Sequence, residues 1–148
     1  MTKFRFRLEP VLQQRVTREI SAEQALALAR NEYRRRVALL EDTRSHLEEI
    51  VKTAANKEAD LFGVMQLSFY SASVTRKINS QEKAVNEAGF AVERKREEAV
   101  EARRGRQVIE KIKERKLEDF KRDEIQRELK ELDELALYAF QRRKRQKN

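Results

Sequence analysis

Apolar residues recur at three- and four-residue intervals along nearly the whole chain, a spacing that places them on one side of an α-helix. Pro10 is the single proline among 148 residues, and only three glycines occur. Two very long helices account for this pattern. A helical pattern that continues far beyond about 25 residues without strong stop signals is typical of a coiled coil and not of a compact globule.

The first helix is predicted over residues 8–60, because Pro10 is accommodated in a first helical turn. Its seam, meaning the row of positions that faces the other helix, alternates steps of four and three residues and is apolar at ten of fifteen positions. The five charged positions favour a single partner helix over a thick bundle. The predicted seam is Leu12, Val16, Glu19, Glu23, Leu26, Arg30, Tyr33, Val37, Leu40, Arg44, Leu47, Val51, Ala54, Glu58 and Leu61.

The heptad pattern breaks between Asn56 and Ser73, and Gly63 lies in the middle of the break. We predict the turn at residues 61–68. A compact apolar cluster occupies the same region, and it can either cap the end of a coiled coil or bind a partner. The cluster is Leu61, Phe62, Val64, Met65, Leu67, Phe69 and Tyr70.

The second helix is predicted over residues 69–140. Its seam starts with small and aliphatic residues that permit close helix approach, and an 11-residue step from Ile109 to Phe120 then replaces the heptad as a register shift. The first part of the seam is Ile78, Gln81, Val85, Ala88, Val92, Lys95, Ala99 and Ala102. The seam is predicted to resume as Ile125, Leu129, Leu132, Ala136 and Ala139.

These two helices differ in length. At 1.5 Å per residue they would extend roughly 80 Å and 110 Å, so in a hairpin residues 121–148 would project past the N-terminus. This overhang is rich in apolar residues, which makes it a candidate protein-binding surface. The predicted fold is all-α, one coiled-coil domain over residues 1–148, with two long helices in an antiparallel hairpin of which the second is longer.

The net charge of +8 is concentrated at the two termini. Residues 1–7 carry three basic and no acidic side chains, and the tail at residues 141–148 carries five basic and none acidic. The body at 8–140 balances 26 basic against 26 acidic residues. Such a body is a solvated helix surface and not a continuous track for phosphates.

Residues that carry catalysis are scarce. The chain has no cysteine, which excludes disulfides and thiolate metal sites and fits a reducing cytoplasm. His46, the single histidine, lies among acidic residues on a polar stretch and is interpreted as a surface residue. The three glycines are isolated, so no phosphate-binding loop is present. We expect a non-enzyme without cofactor or metal, and no signal peptide or membrane span.

Both ends of the chain carry distinctive motifs. The first is Phe4-Arg5-Phe6-Arg7-Leu8-Glu9-Pro10-Val11-Leu12, followed by Arg15, Glu19, Ala22 and Ala25. The second is Glu118-Asp119-Phe120-Lys121, then Glu131-Leu132-Asp133-Glu134-Leu135-Ala136 and Phe140. Together they resemble the opening and closing segments of FliJ, the coiled-coil protein family of the bacterial flagellar export apparatus.

This resemblance implies a hairpin similar to the central shaft of rotary ATPases. It also implies association with the hexameric flagellar export ATPase, with the transmembrane export gate and with substrate-specific export chaperones, at the cytoplasmic face of the inner membrane at the flagellar base. For the ATPase ring, the expected contacts are Phe4, Phe6, Leu129, Leu132, Tyr138, Phe140, Arg142 and Arg143. For the gate, they are Tyr70, Val74, Ile78 and Gln81.

Three alternatives remain open at this point. A stalk protein of a virulence-type secretion system would share the architecture and differ in its partners. A basic coiled-coil protein could bind nucleic acid through the terminal arginines and lysines, since such runs contact phosphates. A structural rod could dimerise through its seams, and a four-helix arrangement of two chains fits the same pattern.

Overall fold

The computed structural model describes residues 3–55 and 60–146, with side chains as far as residue 143. It consists of two helices, α1 (Glu9–Ala55) and α2 (Leu61–Gln146), and the described residues contain no strand. The all-α prediction with a longer second helix is confirmed. At 1.5 Å per residue, α1 is about 70 Å long and α2 about 130 Å. Within the described residues, neither helix holds a stretch long and apolar enough to cross a membrane.

The helix starts follow from local hydrogen bonds. At the start of α1, Leu12 N donates to Leu8 O at 2.9 Å, and Pro10 lies in the first turn, where its missing N–H costs nothing. At the start of α2, Asp60 Oδ1 accepts a hydrogen bond from Gly63 N at 2.9 Å. Asp60 is therefore the N-cap of α2, since a side-chain oxygen there satisfies an amide that has no helical acceptor.

The observed helix boundaries differ from the predicted ones, because the N-cap at Asp60 starts α2 earlier than predicted. Residues 61–68, predicted as the turn, are the first two turns of α2. The apolar cluster and Gly63 suggested a break, whereas the capping carboxylate of Asp60 was the informative signal. α1 ends at Ala55, and the predicted continuation to residue 60, including Glu58, falls on residues 56–59 outside the described part. The predicted tail at 141–148 is helical through Gln146. Residues 1–2 and 147–148 lie outside the described part of the chain.

The chain divides into two compact units. Unit 2, residues 17–102, pairs α1 with the first half of α2. Arg36 Nη1 donates to Ala84 O at 3.2 Å, Arg44 forms an ion pair with Glu82, and further along α1 His46 meets Tyr70. Since positions that rise along α1 fall along α2, the two helices are antiparallel in this unit.

The predicted α2 seam is correct in unit 2, because each of its eight positions from Ile78 to Ala102 is buried or half-buried. For α1, the predicted heptad positions from Leu12 to Ala54 face α2, but the alternate row is displaced by one residue. The half-buried or buried members of that row are Arg15, Ala22, Ala29, Arg36, Thr43 and Ile50. Glu23, Arg30, Arg44 and Val51, which the prediction placed there, are exposed. Ala22, Ala29 and Thr43 take the place of predicted charges on this row. Arg15 and Arg36 lie next to Val16 and Val37, which are half-buried as predicted.

Unit 1 comprises residues 1–16 and 103–148. Lys113 Nζ lies 2.7 Å from Glu9 Oε2, and the Phe4 ring packs on Phe120, so the chain directions are again antiparallel. Half-buried positions run 109, 113, 117 and 120, which covers three helical turns in 11 residues. That spacing agrees with the predicted register shift.

The core is thin throughout, because a pair of helices shields each side chain from one direction only. In the described part, no large side chain is fully enclosed, and the buried aliphatic residues larger than alanine are Leu12, Leu26, Leu40 and Val74. On the surface, ion pairs one helical turn apart support each helix. One example is Lys52 and Glu48, whose 2.8 Å hydrogen bond lowers the pKa of Glu48 and raises the pKa of Lys52.

Candidate functional site

The N-terminal segment of unit 1 folds against α2 through its two phenylalanines. The Phe4 and Phe120 ring centroids are 5.6 Å apart with planes tilted by 56°. Lys113 Nζ lies 5.9 Å from the Phe6 ring centroid, a distance suited to a cation–π contact. Both N-terminal phenylalanines are half-buried, so they are anchors of the segment as well as predicted binding residues.

A shallow groove of about 880 Å³ runs between this segment and α2. Its apolar wall includes Phe4, Phe6 and Phe120, and its polar wall includes Lys116 and Asp119. A groove of this composition suits an apolar side chain of a protein partner flanked by polar groups.

Beyond Phe120, α2 carries an apolar face that α1 does not cover. Every described side chain from 125 to 143 is exposed. Leu132 is 62% exposed and Phe140 67%. At 100° per residue, the residues of this face lie within an arc of roughly 140°. This face, called the overhang stripe, consists of Ile125, Leu129, Leu132, Leu135, Ala136, Ala139 and Phe140. Leu137 and Tyr138 are exposed outside the arc.

The overhang stripe does not continue the seam of unit 1. The half-buried positions 113, 117, 120 and 124 mark the side of α2 that faces α1. Counted at 100° per residue, the centre of the overhang stripe is rotated from that side by roughly 100°. The prediction that the seam resumes at Ile125 is thus corrected. A partner on the overhang stripe approaches from a different side than α1 does.

Basic residues adjoin the overhang stripe. Arg142 and Arg143 are exposed and follow the last apolar residue of the face by two and three positions. Of the residues predicted to bind the ATPase ring, all eight belong to unit 1. The structure leaves the side chains of Leu129, Leu132, Tyr138 and Phe140 open to solvent, and it partly covers the two N-terminal phenylalanines.

The four residues predicted to bind the export gate lie in unit 2 and are not equally available. Val74 is only 8% exposed, and Ile78 and Gln81 are half-buried, so these three belong to the seam. Tyr70 is 46% exposed. Its hydroxyl is hydrogen-bonded to His46 Nε2 at 3.2 Å, and the two rings meet edge to face. His46 is exposed, as predicted.

The start of α2 carries an exposed apolar surface. Leu61–Thr75 contains no charged residue, although 41% of the whole chain is charged. The exposed members are Leu61, Phe62, Val64, Met65, Phe69 and Tyr70. We call this surface the tip face. The break in the heptad pattern predicted a turn for this cluster, whereas the 15-residue absence of charge was the signal that it forms a helix face.

Within the described residues, no group of three or more histidine, cysteine, aspartate or glutamate side chains is arranged to hold a metal ion. What the two surfaces can do is bind apolar faces of other molecules, with cations beside the overhang stripe to attract acidic ones.

Comparisons with known proteins agree with this architecture. The model of the flagellar FliJ protein family matches residues 4–145. Among solved structures, the chain is similar to a YscO homologue, CT670, from Chlamydia trachomatis, with a TM-score of 0.70 and 21% identity over 97% of this chain and 99% of that one. At this identity the likeness concerns the fold alone. No curated protein sequence gives a significant match. Since the family model spans nearly every residue of both helices, the chain belongs to the flagellar FliJ protein family.

Proposed function

We propose that this FliJ family protein is a non-enzymatic subunit of flagellar protein export that binds the hexameric export ATPase through unit 1 and promotes ring assembly and activity. The observation that carries the proposal is the overhang stripe, which exposes five large apolar side chains on a helix without a partner from α1. Water-exposed apolar area of this extent is characteristic of protein-binding surfaces.

The overhang stripe and the arginines that follow it contribute to ring binding in two different ways. Burial of Leu129, Leu132 and Phe140 against an apolar wall of the ring supplies affinity. Arg142 and Arg143, both exposed, attract acidic loops and raise the association rate. Phe4 and Phe6 hold the N-terminal segment on α2 and complete the surface from the other side of the groove.

The test compares two double variants in an assay of ATPase stimulation and ring assembly. Leu132→Ala with Phe140→Ala removes two anchors of the overhang stripe. Leu28→Ala with Phe90→Ala is the matched control, because Leu28 is 70% exposed and Phe90 73%, yet neither belongs to the stripe. We expect the first pair to raise the concentration for half-maximal stimulation by at least about tenfold, since anchors of this kind each contribute more than about 1 kcal/mol. Equal stimulation by both pairs would contradict the proposal.

We also propose that the tip face at the start of α2, which includes Tyr70, contacts the cytoplasmic side of the export gate. The tip face supports this, because Phe62, Phe69 and Tyr70 are exposed there whereas Val74, Ile78 and Gln81 support the helix pair from within the seam. The resemblance to the family extends the proposal to substrate-specific export chaperones and to a peripheral location at the flagellar base.

Binding to the soluble domain of the gate protein tests this second contact. Phe62→Ala with Phe69→Ala is expected to weaken binding while the melting temperature stays within a few degrees of wild type, since both side chains are exposed. Val74→Ala is the control for the seam, and we expect it to lower the melting temperature. Full gate binding by the Phe62 and Phe69 variant would show that the contact lies elsewhere.

A further inference from the structure

The overhang of α2 carries its charges in two separate blocks. Residues 123–134, the acidic block, contain six acidic and two basic side chains. Residues 135–141 contain no charge, and residues 142–147, the basic block, contain five basic side chains and no acid. The helix continues through both blocks as far as Gln146. The overhang is therefore an amphipathic helix that is acidic in its first half and basic in its second.

This order of charges is self-complementary in one orientation only. When two copies lie antiparallel, the acidic block of each faces the basic block of the other. When they lie parallel, like charges face each other at both ends, which is unfavourable. We propose that the overhang stripe is a docking site for the overhang stripe of a second copy of this chain, in an antiparallel pair related by a two-fold axis.

The apolar residues fit the same arrangement. A two-fold axis near Ala136 places Leu132 of one copy beside Ala139 and Phe140 of the other, and the reverse contact follows by symmetry. Ala136 at the axis has no bulky side chain, which permits close approach of the two helices. The same pairing brings Arg142 and Arg143 to within one helical turn of Glu128 and Glu131, all four being exposed in the single chain.

The direction of the overhang stripe favours a second copy. It is turned by roughly 100° from the side of α2 that faces α1, and α1 does not cover it within unit 1. Five large side chains from each copy form a small interface, and we expect a dissociation constant of the dimer on the order of 10 µM. The inference does not depend on the proposed export function. If both hold, pairing would cover the stripe that binds the ring, and the two associations would exclude each other.

Sedimentation equilibrium of the purified full chain over a range of concentrations tests the proposal, without any ATPase present. Wild type is expected to pass from monomer to dimer with increasing concentration, and to dissociate with added salt because exposed charges are screened. One variant, Glu128→Lys with Glu131→Lys, removes the net negative charge of the acidic block and places two new cations beside the basic block of the other copy. A second, Arg142→Glu with Arg143→Glu, lowers the positive charge of the other block. Each alone is expected to remain monomeric.

Loss of the dimer in each variant alone identifies the antiparallel orientation, because a parallel pair would oppose like charges both before and after the substitutions. The equimolar mixture of the two variants tests whether these charges pair between copies. In an antiparallel pair the lysines introduced at 128 and 131 in one variant lie beside the glutamates introduced at 142 and 143 in the other, so the mixture is expected to recover dimer. Phe62→Ser with Phe69→Ser alters the tip face and is expected to keep the wild-type dimer. A wild type that stays monomeric, variants that dimerise as well as wild type, a mixture that stays monomeric, or a dimer lost in the tip variant would each overturn the proposal. Circular dichroism of every variant verifies that the helices are retained.

Discussion

Gln81 illustrates how a single seam residue limits stability. It lies on α2 among apolar seam neighbours, and its Oε1 atom is buried without a hydrogen-bond partner among the described groups. A buried amide oxygen that loses water without gaining a donor costs about 1–3 kcal/mol. Gln81 therefore lies on the seam because of the helical repeat, although its buried side chain lowers stability there.

We expect Gln81→Leu to raise the free energy of unfolding by about 1 kcal/mol, because it removes the unsatisfied oxygen and adds apolar area to the seam. The urea midpoint of unfolding, followed by circular dichroism, measures the change. Gln24→Leu is the matched control, since Gln24 is exposed on α1 in the same unit, and a change within about 0.5 kcal/mol is expected there. A destabilised Gln81→Leu variant would mean that the amide is satisfied by solvent.

Gly89 also lies near the seam, and there a side chain would fit. A Cβ atom at this position would lie 3.7 Å from Tyr33 Cε2, which is an ordinary van der Waals distance. Gly89 does not adopt a positive φ, so the backbone does not require glycine. We expect Gly89→Ala to stabilise the protein by up to about 1 kcal/mol through helix propensity and to raise the melting temperature by several degrees. A lower melting temperature would indicate that Tyr33 cannot adjust.

At the scale of the element, α2 changes character along its length. Between residues 85 and 102 its seam is buried or half-buried against α1, whereas from 125 onward every described side chain is exposed. An isolated helix is marginal in water, because most helical stability in proteins comes from packing of an apolar face. The same continuous helix is thus supported by tertiary contact in one part and by local propensity alone in another.

Amide hydrogen exchange should reveal this difference. We expect amides at 125–146 to exchange far faster than those at 85–102, since opening the unpartnered part breaks no interhelical contact. Addition of the export ATPase ring or an increase in protein concentration is expected to slow exchange in 125–146, because either partner would cover the overhang stripe. Equal protection of the two segments in dilute protein alone would show that an additional contact holds the overhang.

For the whole molecule, the location of charge matters more than its sum. The body is neutral and the net charge of +8 belongs to the ends. A nucleic-acid binder that used all eight charges would show a log–log salt slope near −7 by the counterion relation. Exposed cations beside an apolar surface instead influence how fast a protein partner associates.

We therefore expect Arg142→Gln with Arg143→Gln to lower the association rate for the ATPase and to reduce the dependence of that rate on salt. Its dissociation rate should change little, since exposed charges at a rim contribute mainly to encounter. Leu132→Ala with Phe140→Ala should have the opposite profile, with faster dissociation. Surface plasmon resonance at several salt concentrations separates the two effects. A charge variant that dissociates faster without a change in association would contradict the steering role.

Much of the fold could be predicted because helical periodicity is local. The α2 seam from Ile78 to Ala102 and the heptad row from Leu12 to Ala54 follow directly from apolar spacing. The alternate row of α1 could not be assigned by the same rule, since steps of three and four produce equally regular patterns. There, Val37 is half-buried as predicted, whereas Val51 is exposed and its neighbour Ile50 is half-buried instead.

The candidate surfaces could likewise be predicted from the sequence only in part. By itself the sequence determined that two helices form, that the second is longer, and that its excess length carries apolar residues and terminal cations, because composition and periodicity are properties of the chain. Only the tertiary structure decided which apolar residues remain exposed. Burial depends on the partner helix, and for that reason Val74 is enclosed, Phe69 is free, and the overhang stripe faces away from the side that α1 covers.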